Sequence, residues 1–214
     1  MPKLSIIIPC YNEVGNIPAL INRLELIKND YTEVILVDNG STDDTAKVIK
    51  HSLFGMEPFL KIVTVHQNIG YGHGIMSGIK EATGDVIAWT HADLQTDPVD
   101  VLNAYSMYIE KKNKDKSILK GKRVGRNFFD TFFTFGMGVL SSLLLRKKLL
   151  DINAQPKMFH KSFLEKLTNT PDDFSLDLYL LYQARMNDYK ILEYPVNFTK
   201  RMHDEAKGGG TLKG

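Results

Sequence analysis

The sequence predicts an α/β fold with a mostly parallel central sheet flanked by helices. The first half of the chain repeats one pattern, in which a short run of β-branched residues is followed by a polar turn and then by a segment with helical periodicity. Strands that alternate with helices in this way form parallel sheets, because each helix carries the chain back across a face of the sheet. The strand-like runs are apolar throughout, which indicates that both faces of the sheet are covered.

Four strands and four helices are predicted in this half. The strands cover Leu4–Pro9, Glu33–Asp38, Lys61–His66 and Asp85–Thr90, and the helices cover Ile17–Ile27, Thr42–His51, Gly72–Ala82 and Pro98–Lys111. Ser41 with Asp44 three residues later is a capping-box pattern, which predicts that the second helix starts at this point.

The second half loses this alternation. Lys111–Lys116 is a charged segment, which we interpret as a solvated loop. Ser175–Asn187 has the pattern of a helix and Lys190–Phe198 that of a strand, while the Gly-rich sequence from Ala206 onward predicts a flexible tail. Since the sequence shows neither an internal repeat nor an independent second core, we expect one domain that covers residues 1–214.

The composition excludes some classes of function. The 214 residues carry a formal net charge of +2, so the overall charge gives no reason to expect nucleic-acid binding. Cys10 is the only cysteine and cannot form an internal disulfide, which fits a reducing compartment. The apolar run Leu4–Pro9 is too short for a signal peptide, and we therefore expect a cytoplasmic protein.

Phe128–Leu145 is the longest apolar stretch, and Arg146-Lys147-Lys148 follows it. Its length is borderline for a membrane span, and it contains Asp130. We interpret it as two amphipathic helices packed on the domain. Peripheral contact with a membrane and a homodimer interface are the alternatives.

Polar residues follow each of the four predicted strands. In order, these turns are Tyr11-Asn12-Glu13, Asp38-Asn39-Gly40-Ser41, Gln67-Asn68 and His91-Ala92-Asp93-Leu94-Gln95. In parallel α/β sheets, ligands bind at the carboxyl ends of the strands, where the following loops converge. The four turns therefore predict a binding site at one edge of the sheet.

Asp93 is the first candidate for the chemistry of that site. A carboxylate fixed at a strand end can hold Mg²⁺ or Mn²⁺, which bind one or two carboxylates together with substrate phosphates. The alternative is that Asp93 and Asp97 are turn and helix-capping residues before Pro98. The position of Asp93 among the four polar turns favours the metal site.

Asp38 and a glycine-rich segment are further candidates. Asp38 could accept a hydrogen bond from an N–H group of a nucleobase, or it could be an ordinary turn residue. The glycines of Asn68–Gly74 do not have the P-loop spacing, and they allow close approach either of a ligand or of a neighbouring strand. The basic residues that could bind phosphate, or remain surface charges, are Lys122, Arg123, Arg126, Arg201 and Lys207.

Several of these segments together resemble the inverting family 2 glycosyltransferases, which have the GT-A fold. The matching segments are Ser5–Glu13, Val37–Thr45, Asn68–Gly72, Thr83–Asp85 and His91–Gln95, and the similarity extends over residues 4–207. The resemblance implies a Rossmann-like sheet, with a nucleotide-sugar-binding half at residues 1–115 and an acceptor-side half at residues 116–207, followed by a tail at residues 208–214.

The resemblance also implies roles for individual residues. It places a divalent cation, Mn²⁺ or Mg²⁺, at His91, Asp93 and Gln95, with His91 in place of the first carboxylate of the family's usual Asp-x-Asp motif. The implied nucleotide-sugar-binding residues are Pro9, Tyr11, Asn12, Glu13, Asp38, Asn68, Gly72, Ala92 and Asp93. Those implied for the acceptor or its phosphate are Arg123, Arg126, Arg201 and Lys207. The implied catalytic residues are Asp93, Asp177 and Arg201.

Within the family, the ending Ile191–Phe198 followed by Arg201 and Lys207 looks most like the polyprenyl-phosphate sugar transferases. This implies transfer of a hexose from a UDP- or GDP-linked donor to a polyprenyl phosphate, in cell-envelope glycan biosynthesis, by a protein peripheral to the inner face of the membrane. The residues before Lys207 lack the Gly and Ser that typically precede this Lys in such members, so a hydroxyl acceptor stays an alternative.

The expected mechanism is a single displacement at the anomeric carbon with inversion, in which the metal and nearby cations stabilise the departing nucleoside diphosphate. A hydroxyl acceptor needs a general base, for which Asp177 is the candidate, and the alternative is a carboxylate that only favours a helix N-terminus. Two other functions stay open: a non-catalytic nucleotide-sugar-binding module, and a nucleotidyltransferase that makes nucleotide sugars. The latter needs a basic, glycine-rich loop after the first strand, where Cys10–Glu13 stands.

Overall fold

The computed structural model describes residues 3–52, 55–125 and 142–199. In these ranges the strands are β1 (Leu4–Cys10), β2 (Thr32–Asn39), β3 (Leu60–Val65), β4 (Val86–Trp89), β5 (Ser117–Val124), β6 (Lys157–His160) and β7 (Lys190–Asn197). The helices are α1 (Ile17–Glu25), α2 (Thr45–Ser52), α3 (Tyr71–Lys80), α4 (Pro98–Ile109) and α5 (Leu176–Met186).

The strands form one sheet in the order β3-β2-β1-β4-β6-β5-β7. β1 lies between β2 and β4 and is parallel to both, and β3 is parallel to β2. β6 is antiparallel to β4 and β5, while β7 pairs with β5 in parallel. The predicted α/β fold with a mostly parallel central sheet is therefore confirmed.

Helices cover both faces of the sheet. Alternate residues of β1 point to opposite faces, so Ile6 and Ile8 pack in a core with α1 and α4, whereas Ile7 packs in a core with α3 and α5. Every residue of β2 is buried, as expected for a central strand covered on both sides. This three-layer arrangement fixes the strand ends, from which the site is built.

The predicted elements of the first half are confirmed, with ends that shift by up to three residues. The prediction of a capping box at Ser41 is wrong, because α2 begins only at Thr45. The Thr45 N–H donates to Asp43 Oδ1 (3.0 Å), and the Ser41 hydroxyl instead accepts from the N–H of Asn12 (3.1 Å). The segment predicted as a charged loop contains a short 3-10 helix at Lys114–Lys116.

The sequence does not predict β5 and β6, because each contains a lysine that the structure buries. Lys120 in β5 and Lys157 in β6 are 2% and 0% exposed and are neighbours across the two strands. Lysine is rarely buried in proteins unless its charge has a partner. Here Lys120 pairs with Glu193 (3.1 Å) and Lys157 pairs with Asp177 (3.4 Å).

The apolar stretch Phe128–Leu145 lies outside the described residues except at its end. Leu143 and Leu144 are 71% and 74% exposed. Among the helices within the described ranges, none has both the length and the apolar character needed to cross a membrane.

Glu33 anchors the amino-terminal edge of the sheet, opposite the predicted site. Its carboxylate accepts hydrogen bonds from the Ser5 hydroxyl (2.6 Å) and the Thr83 N–H (2.7 Å), and it pairs with Lys61 (2.5 Å). Burial acts to raise the pKa of Glu33, but the hydrogen bonds from Lys61, Ser5 and Thr83 outweigh it and hold the pKa below its usual value. The network joins β1, β2, β3 and the turn before β4.

We expect Glu33→Gln to lower the free energy of unfolding near neutral pH by about 1–3 kcal/mol, because the amide cannot accept this set of hydrogen bonds. Since the folded-state pKa lies below the unfolded-state value of about 4.3, the stabilisation is complete above that pH and is lost as the pH falls through the folded-state pKa. Urea unfolding at neutral and acidic pH measures both effects. Wild type should lose more stability on acidification than the variant, and an equal loss would contradict this role.

Candidate active site

A cavity of about 230 Å³ opens at the carboxyl edge of the sheet, where the loops after β1, β2, β3 and β4 meet. Its lining residues are Pro9, Cys10, Tyr11, Glu13, Asn39, Asn68, Gly70, Tyr71, His91, Ala92, Asp93 and Phe174. Each of the four predicted polar turns therefore contributes at least one residue to this cavity, whereas Asn12, Asp38 and Gln95 are not among its lining residues. Phe174, from the second half of the chain, adds a wall that the sequence did not indicate.

The loops after β1 and β2 are joined by hydrogen bonds around Asn12. The Asn12 side chain accepts from the N–H of Thr42 (2.7 Å) and donates to the Thr42 hydroxyl (3.1 Å). The next residue, Glu13, donates its N–H to the Thr45 hydroxyl (2.8 Å). Asn12 has a positive φ of 54°, a conformation that asparagine tolerates better than most residues. Asn12 thus holds the two loops together, and its neighbours Tyr11 and Glu13 line the cavity.

Asp38 lies buried at the end of β2, beside Cys10 of β1. Its Oδ1 atom accepts from the Ser41 N–H (3.1 Å), which is the hydrogen bond of an ordinary turn. Burial raises the pKa of the Cys10 thiol, and the nearby charges of Glu13 and Asp38 raise it further. Cys10, which lines the cavity, is therefore held as a neutral thiol.

Asn39 is a cavity residue that the sequence reasoning did not single out. Its side-chain nitrogen donates to the Gly70 carbonyl (3.0 Å), which fixes the orientation of the amide. Its Oδ1 atom is buried and has no hydrogen-bond partner within the described residues. A buried acceptor left unpaired is costly to the stability of the fold. The signal in the sequence was its position directly after the strand-end Asp38.

The glycine-rich turn packs against the chain segment that precedes α5. A Cβ atom on Gly70 would lie 2.3 Å from the Asp172 carbonyl oxygen, and one on Gly72 would lie 2.2 Å from that of Pro171. The His73 N–H donates to the Asp172 carbonyl (3.0 Å). These glycines therefore let two loops approach each other closely. Gly72, predicted to bind the nucleotide sugar, is not among the residues that line the cavity.

Asp93 is held in a tight turn after β4. It is 4% exposed, and its Oδ1 atom accepts from the N–H of Gln95 (3.1 Å). His91 and Asp93 line the same cavity, as predicted. Gln95 does not join them: its side chain donates to the Thr199 carbonyl (3.3 Å) and lines another cavity, together with Arg23 and other residues.

The chemistry of these side chains fits a cation that is bound mainly by its substrate. Within the described residues, no three or more His, Cys, Asp or Glu side chains are grouped to hold a metal ion by themselves. One carboxylate, with the remaining ligands from phosphate oxygens and water, is a usual environment for Mg²⁺ in nucleotide sites. An imidazole beside it, as at His91, suits Mn²⁺ better than Mg²⁺.

Asp177, the predicted general base, lies in the interior behind the cavity wall. It is 2% exposed and pairs with Lys157, and its Oδ1 atom also accepts from Trp89 Nε1 (3.1 Å). Its Oδ2 atom accepts from Gln155 Nε2 (3.0 Å). Burial lowers the pKa of Lys157 to about 8, although the charge of Asp177 acts to raise it. Asp177 thus has both oxygens occupied and does not line the cavity.

Tyr71 and Phe174 form an aromatic wall of the cavity. Their rings stack with centroids 4.8 Å apart and planes 12° apart, and the His91 ring lies 5.8 Å from Tyr71 on a tilted plane. Such pairs stabilise the orientation of each ring. No sequence pattern indicates this wall, because Phe174 is distant along the chain and Tyr71 stands among glycines.

Of the predicted phosphate-binding residues, Lys122 and Arg123 lie within the described residues. Arg123 donates from its N–H (2.9 Å) and its Nε (2.8 Å) to Asp151, and its guanidinium also lies over the Phe198 ring. This ion pair engages the Nε atom and one Nη atom of the Arg123 guanidinium. Arg126, Arg201 and Lys207 lie outside the described residues.

Other cations surround a second cavity, of about 540 Å³, between α5 and the neighbouring strands β5 and β7. Its charged lining residues are Lys120, Lys122, Lys148, Arg185 and Glu193, and its apolar ones are Leu149, Leu150, Leu181, Ile191 and Leu192. Glu193 pairs with both Lys120 and Lys122, and the Nε atom of Arg185 is buried without a hydrogen-bond partner in the described ranges. The cavity therefore combines excess positive charge with apolar walls.

Solved structures show the same fold. A mannosyltransferase from Pyrobaculum calidifontis, solved with GDP-Man and Mn²⁺, superposes with a TM-score of 0.68 at 22% identity, over 91% of this chain and 55% of that one. Glucosyl-3-phosphoglycerate synthase from Mycobacterium tuberculosis, solved with phosphoglyceric acid, gives 0.74 at 17% identity, over 95% and 73%. The GT-A fold implied by the sequence resemblance is confirmed.

Two curated relatives share one enzyme name. Undecaprenyl-phosphate 4-deoxy-4-formamido-L-arabinose transferase from Enterobacter sp. (strain 638) is 28% identical over 96% of this chain and 62% of its own length. The protein of that name from Yersinia enterocolitica is 37% identical over 46% of this chain and 31% of its own length. This chain thus spans less than two thirds of these relatives.

A family model that matches most of the chain establishes the family. The family model described as Glycosyl transferase family 2 matches residues 5–174, from the first residues of β1 to the aromatic wall at Phe174. This range contains all four loops of the cavity. The chain belongs to glycosyltransferase family 2.

Proposed function

We propose that this chain is the catalytic unit of a metal-dependent inverting glycosyltransferase, which moves a glycosyl group from a UDP- or GDP-linked donor to a polyprenyl phosphate. The observation that carries this proposal is the convergence of four strand-end loops on one cavity that contains Asp93. The names of the curated relatives support a lipid phosphate as acceptor. The solved neighbours contain Mn²⁺ with GDP-Man or with UDP, which supports the cation and the donor class.

The donor is proposed to lie across the four loops. Tyr11, Glu13 and Asn39 would contact the nucleoside, since they line the cavity beside the ends of β1 and β2. Asp93 and His91 would hold a divalent cation, Mn²⁺ or Mg²⁺, whose charge stabilises the leaving diphosphate. Asp38 would stabilise the loop after β2 through its hydrogen bond from the Ser41 N–H.

A phosphate acceptor explains the position of Asp177. A hydroxyl acceptor must lose its proton to a base that touches it. Asp177 is buried, both of its oxygens accept hydrogen bonds, and Lys157 pairs with it. A phosphate monoester is already an anionic nucleophile and needs no base. The structure therefore favours the lipid phosphate over the hydroxyl alternative.

The second cavity has positively charged side chains that would bind the phosphate of such an acceptor. Lys120 lies opposite Lys157 in the ladder between β5 and β6, so the two lysine side chains share one face of the sheet, on which Lys157 pairs with Asp177. Its leucine and isoleucine walls suit the apolar part of a lipid. The exposed Leu143 and Leu144, followed by Arg146, support peripheral association with the inner face of a membrane.

We expect Asp93→Asn to reduce metal-dependent donor turnover by about 100-fold or more, because the cation loses its protein carboxylate. The assay is release of nucleoside diphosphate from UDP- and GDP-sugars with Mn²⁺. Asp115→Asn is the matched control, since Asp115 is exposed and remote from the cavity in sequence and in structure. Full activity of the Asp93 variant would refute the metal assignment.

We expect transfer to a short-chain polyprenyl phosphate and none to the corresponding polyprenol, since only the phosphate is an anionic nucleophile. Product formation with each acceptor is measured by mass spectrometry. Equal transfer to the alcohol would contradict the acceptor assignment. Tight donor binding without transfer to either would favour the non-catalytic binding module, and formation of a nucleotide sugar from a sugar phosphate and a nucleoside triphosphate would favour the nucleotidyltransferase.

Arg185→Gln is expected to raise the KM for polyprenyl phosphate by about tenfold, because a charge-assisted hydrogen bond is lost. The KM for the donor should not change. Lys50→Gln, on the exposed surface of α2, is the control of equal charge change. An unchanged acceptor KM in the Arg185 variant would show that the second cavity does not bind the acceptor.

A further inference from the structure

Phe174 brings an aromatic ring from the second half of the chain to the donor cavity. It lines the cavity, and 50% of its surface is exposed. An exposed apolar side chain is common on protein surfaces and by itself indicates nothing. Leu26 and Ile69, for example, are also exposed but do not line the cavity. Phe174 differs from them because its exposed surface borders the space in which the donor is proposed to bind.

The Tyr71 ring covers one face of the Phe174 ring. The two planes are 12° apart and the centroids are 4.8 Å apart, so the rings are stacked and nearly parallel. A stacked neighbour can cover only one face of a ring. The exposed half of Phe174 therefore lies at the opposite face and at the ring edge. This leaves a flat apolar surface, supported from behind by Tyr71, at the border of the cavity.

The backbone on both sides of Phe174 is held by hydrogen bonds. On one side, the Asp172 carbonyl accepts from the His73 N–H of α3 (3.0 Å). On the other side, Asp173 Oδ1 accepts from the Ser175 N–H (2.8 Å), at the start of α5. The ring is therefore positioned before a ligand binds, which lowers the entropy that binding would cost.

The order of the lining residues indicates which part of the donor meets Phe174. The nucleoside is proposed to lie at the ends of β1 and β2, and the diphosphate at Asp93, after β4. Because β1 lies between β2 and β4, the donor would cross the sheet edge towards β4. The His91 ring, also after β4, lies 5.8 Å from the Tyr71 ring on which Phe174 stacks. The aromatic wall thus adjoins the end of the cavity where the glycosyl group would lie.

A sugar ring matches this surface chemically. The C–H groups on one face of a pyranose form an apolar patch with small positive partial charges, whereas the face of an aromatic ring is negative. Contact between the two surfaces also removes apolar area from water. The hydroxyl groups at the edge of the sugar stay available for hydrogen bonds. A diphosphate, in contrast, is anionic and is not attracted to an aromatic face.

We propose that Phe174 binds the glycosyl group of the sugar nucleotide by stacking against an apolar face of the sugar ring. This rests on the proposed function, and it adds a residue from the second half of the chain to the donor site. Because the contact is made with the sugar and not with the nucleotide, Phe174 takes part in the selection of the donor sugar.

Titration calorimetry on Phe174→Ala tests the contact. The ligands are the UDP- and GDP-sugars of the donor assay, each compared with free UDP or GDP in the presence of Mn²⁺. The affinity for the sugar nucleotide is expected to fall by about tenfold, because stacking and buried apolar area are both lost, while the affinity for the free nucleoside diphosphate stays within about twofold. Leu26→Ala, directly after α1 and outside the cavity lining, is the control. An equal loss for both ligands, or no loss for the sugar nucleotide, would overturn the proposal.

Two further substitutions separate aromatic stacking from a general apolar contact. Phe174→Tyr keeps the ring face and is expected to bind the sugar nucleotide within about twofold of wild type, whereas Phe174→Leu should lose most of the affinity that the alanine variant loses. A leucine variant with wild-type affinity contradicts stacking. Thermal unfolding of each variant identifies any loss that comes from unfolding.

Transfer measurements distinguish this proposal from the proposed function. If wild type binds the donor and transfers the sugar, and Phe174→Ala does both equally well, only the role of Phe174 is refuted. A raised KM for polyprenyl phosphate with unchanged affinity for the donor would show that the ring contacts the acceptor, and the proposal fails. Wild type that neither binds a sugar nucleotide nor transfers a sugar refutes both.

Discussion

The parallel pairing of β1 with β2 and β4 is the constraint on which the site depends. The register sets Cys10 beside Asp38 and Ile7 beside Trp89, so the loops that follow these strands open at the same edge. A slip of one residue would turn each strand's buried residues to the opposite face of the sheet. The apolar contacts on both faces therefore fix the position of the polar loops, and Glu13 and Asp93 line one cavity.

A second constraint joins the two halves of the chain. Trp89, at the end of β4, donates to Asp177 on α5, and Lys157 on β6 pairs with the same carboxylate. Removing one member of a buried ion pair is costly, because the other charge is left without a partner. The later half is thus tied to the strand that leads to Asp93. This explains how Phe174 comes to complete a cavity whose other walls belong to the first half.

The first half of the fold could be predicted because its signals are local: apolar strands, helical periodicity and polar turns. β5 and β6 could not, since Lys120 and Lys157 are buried only through partners distant along the chain. In the same way, the strand-end position of Asp93 was visible in the sequence, whereas the stacking of Tyr71 on Phe174 depends on tertiary contact. The family resemblance supplied the candidate residues, and the structure separates those that line the cavity from those that support it.

The proposed activity depends on the binding of a sugar nucleotide by the four loops through a cation at Asp93. A crystal structure of the protein with a non-hydrolysable UDP- or GDP-sugar and Mn²⁺ tests this most directly. We expect the diphosphate and the metal beside Asp93, with the nucleoside between the loops that carry Tyr11 and Asn39. Density for the donor at another place, with this cavity empty at saturating ligand, would contradict it.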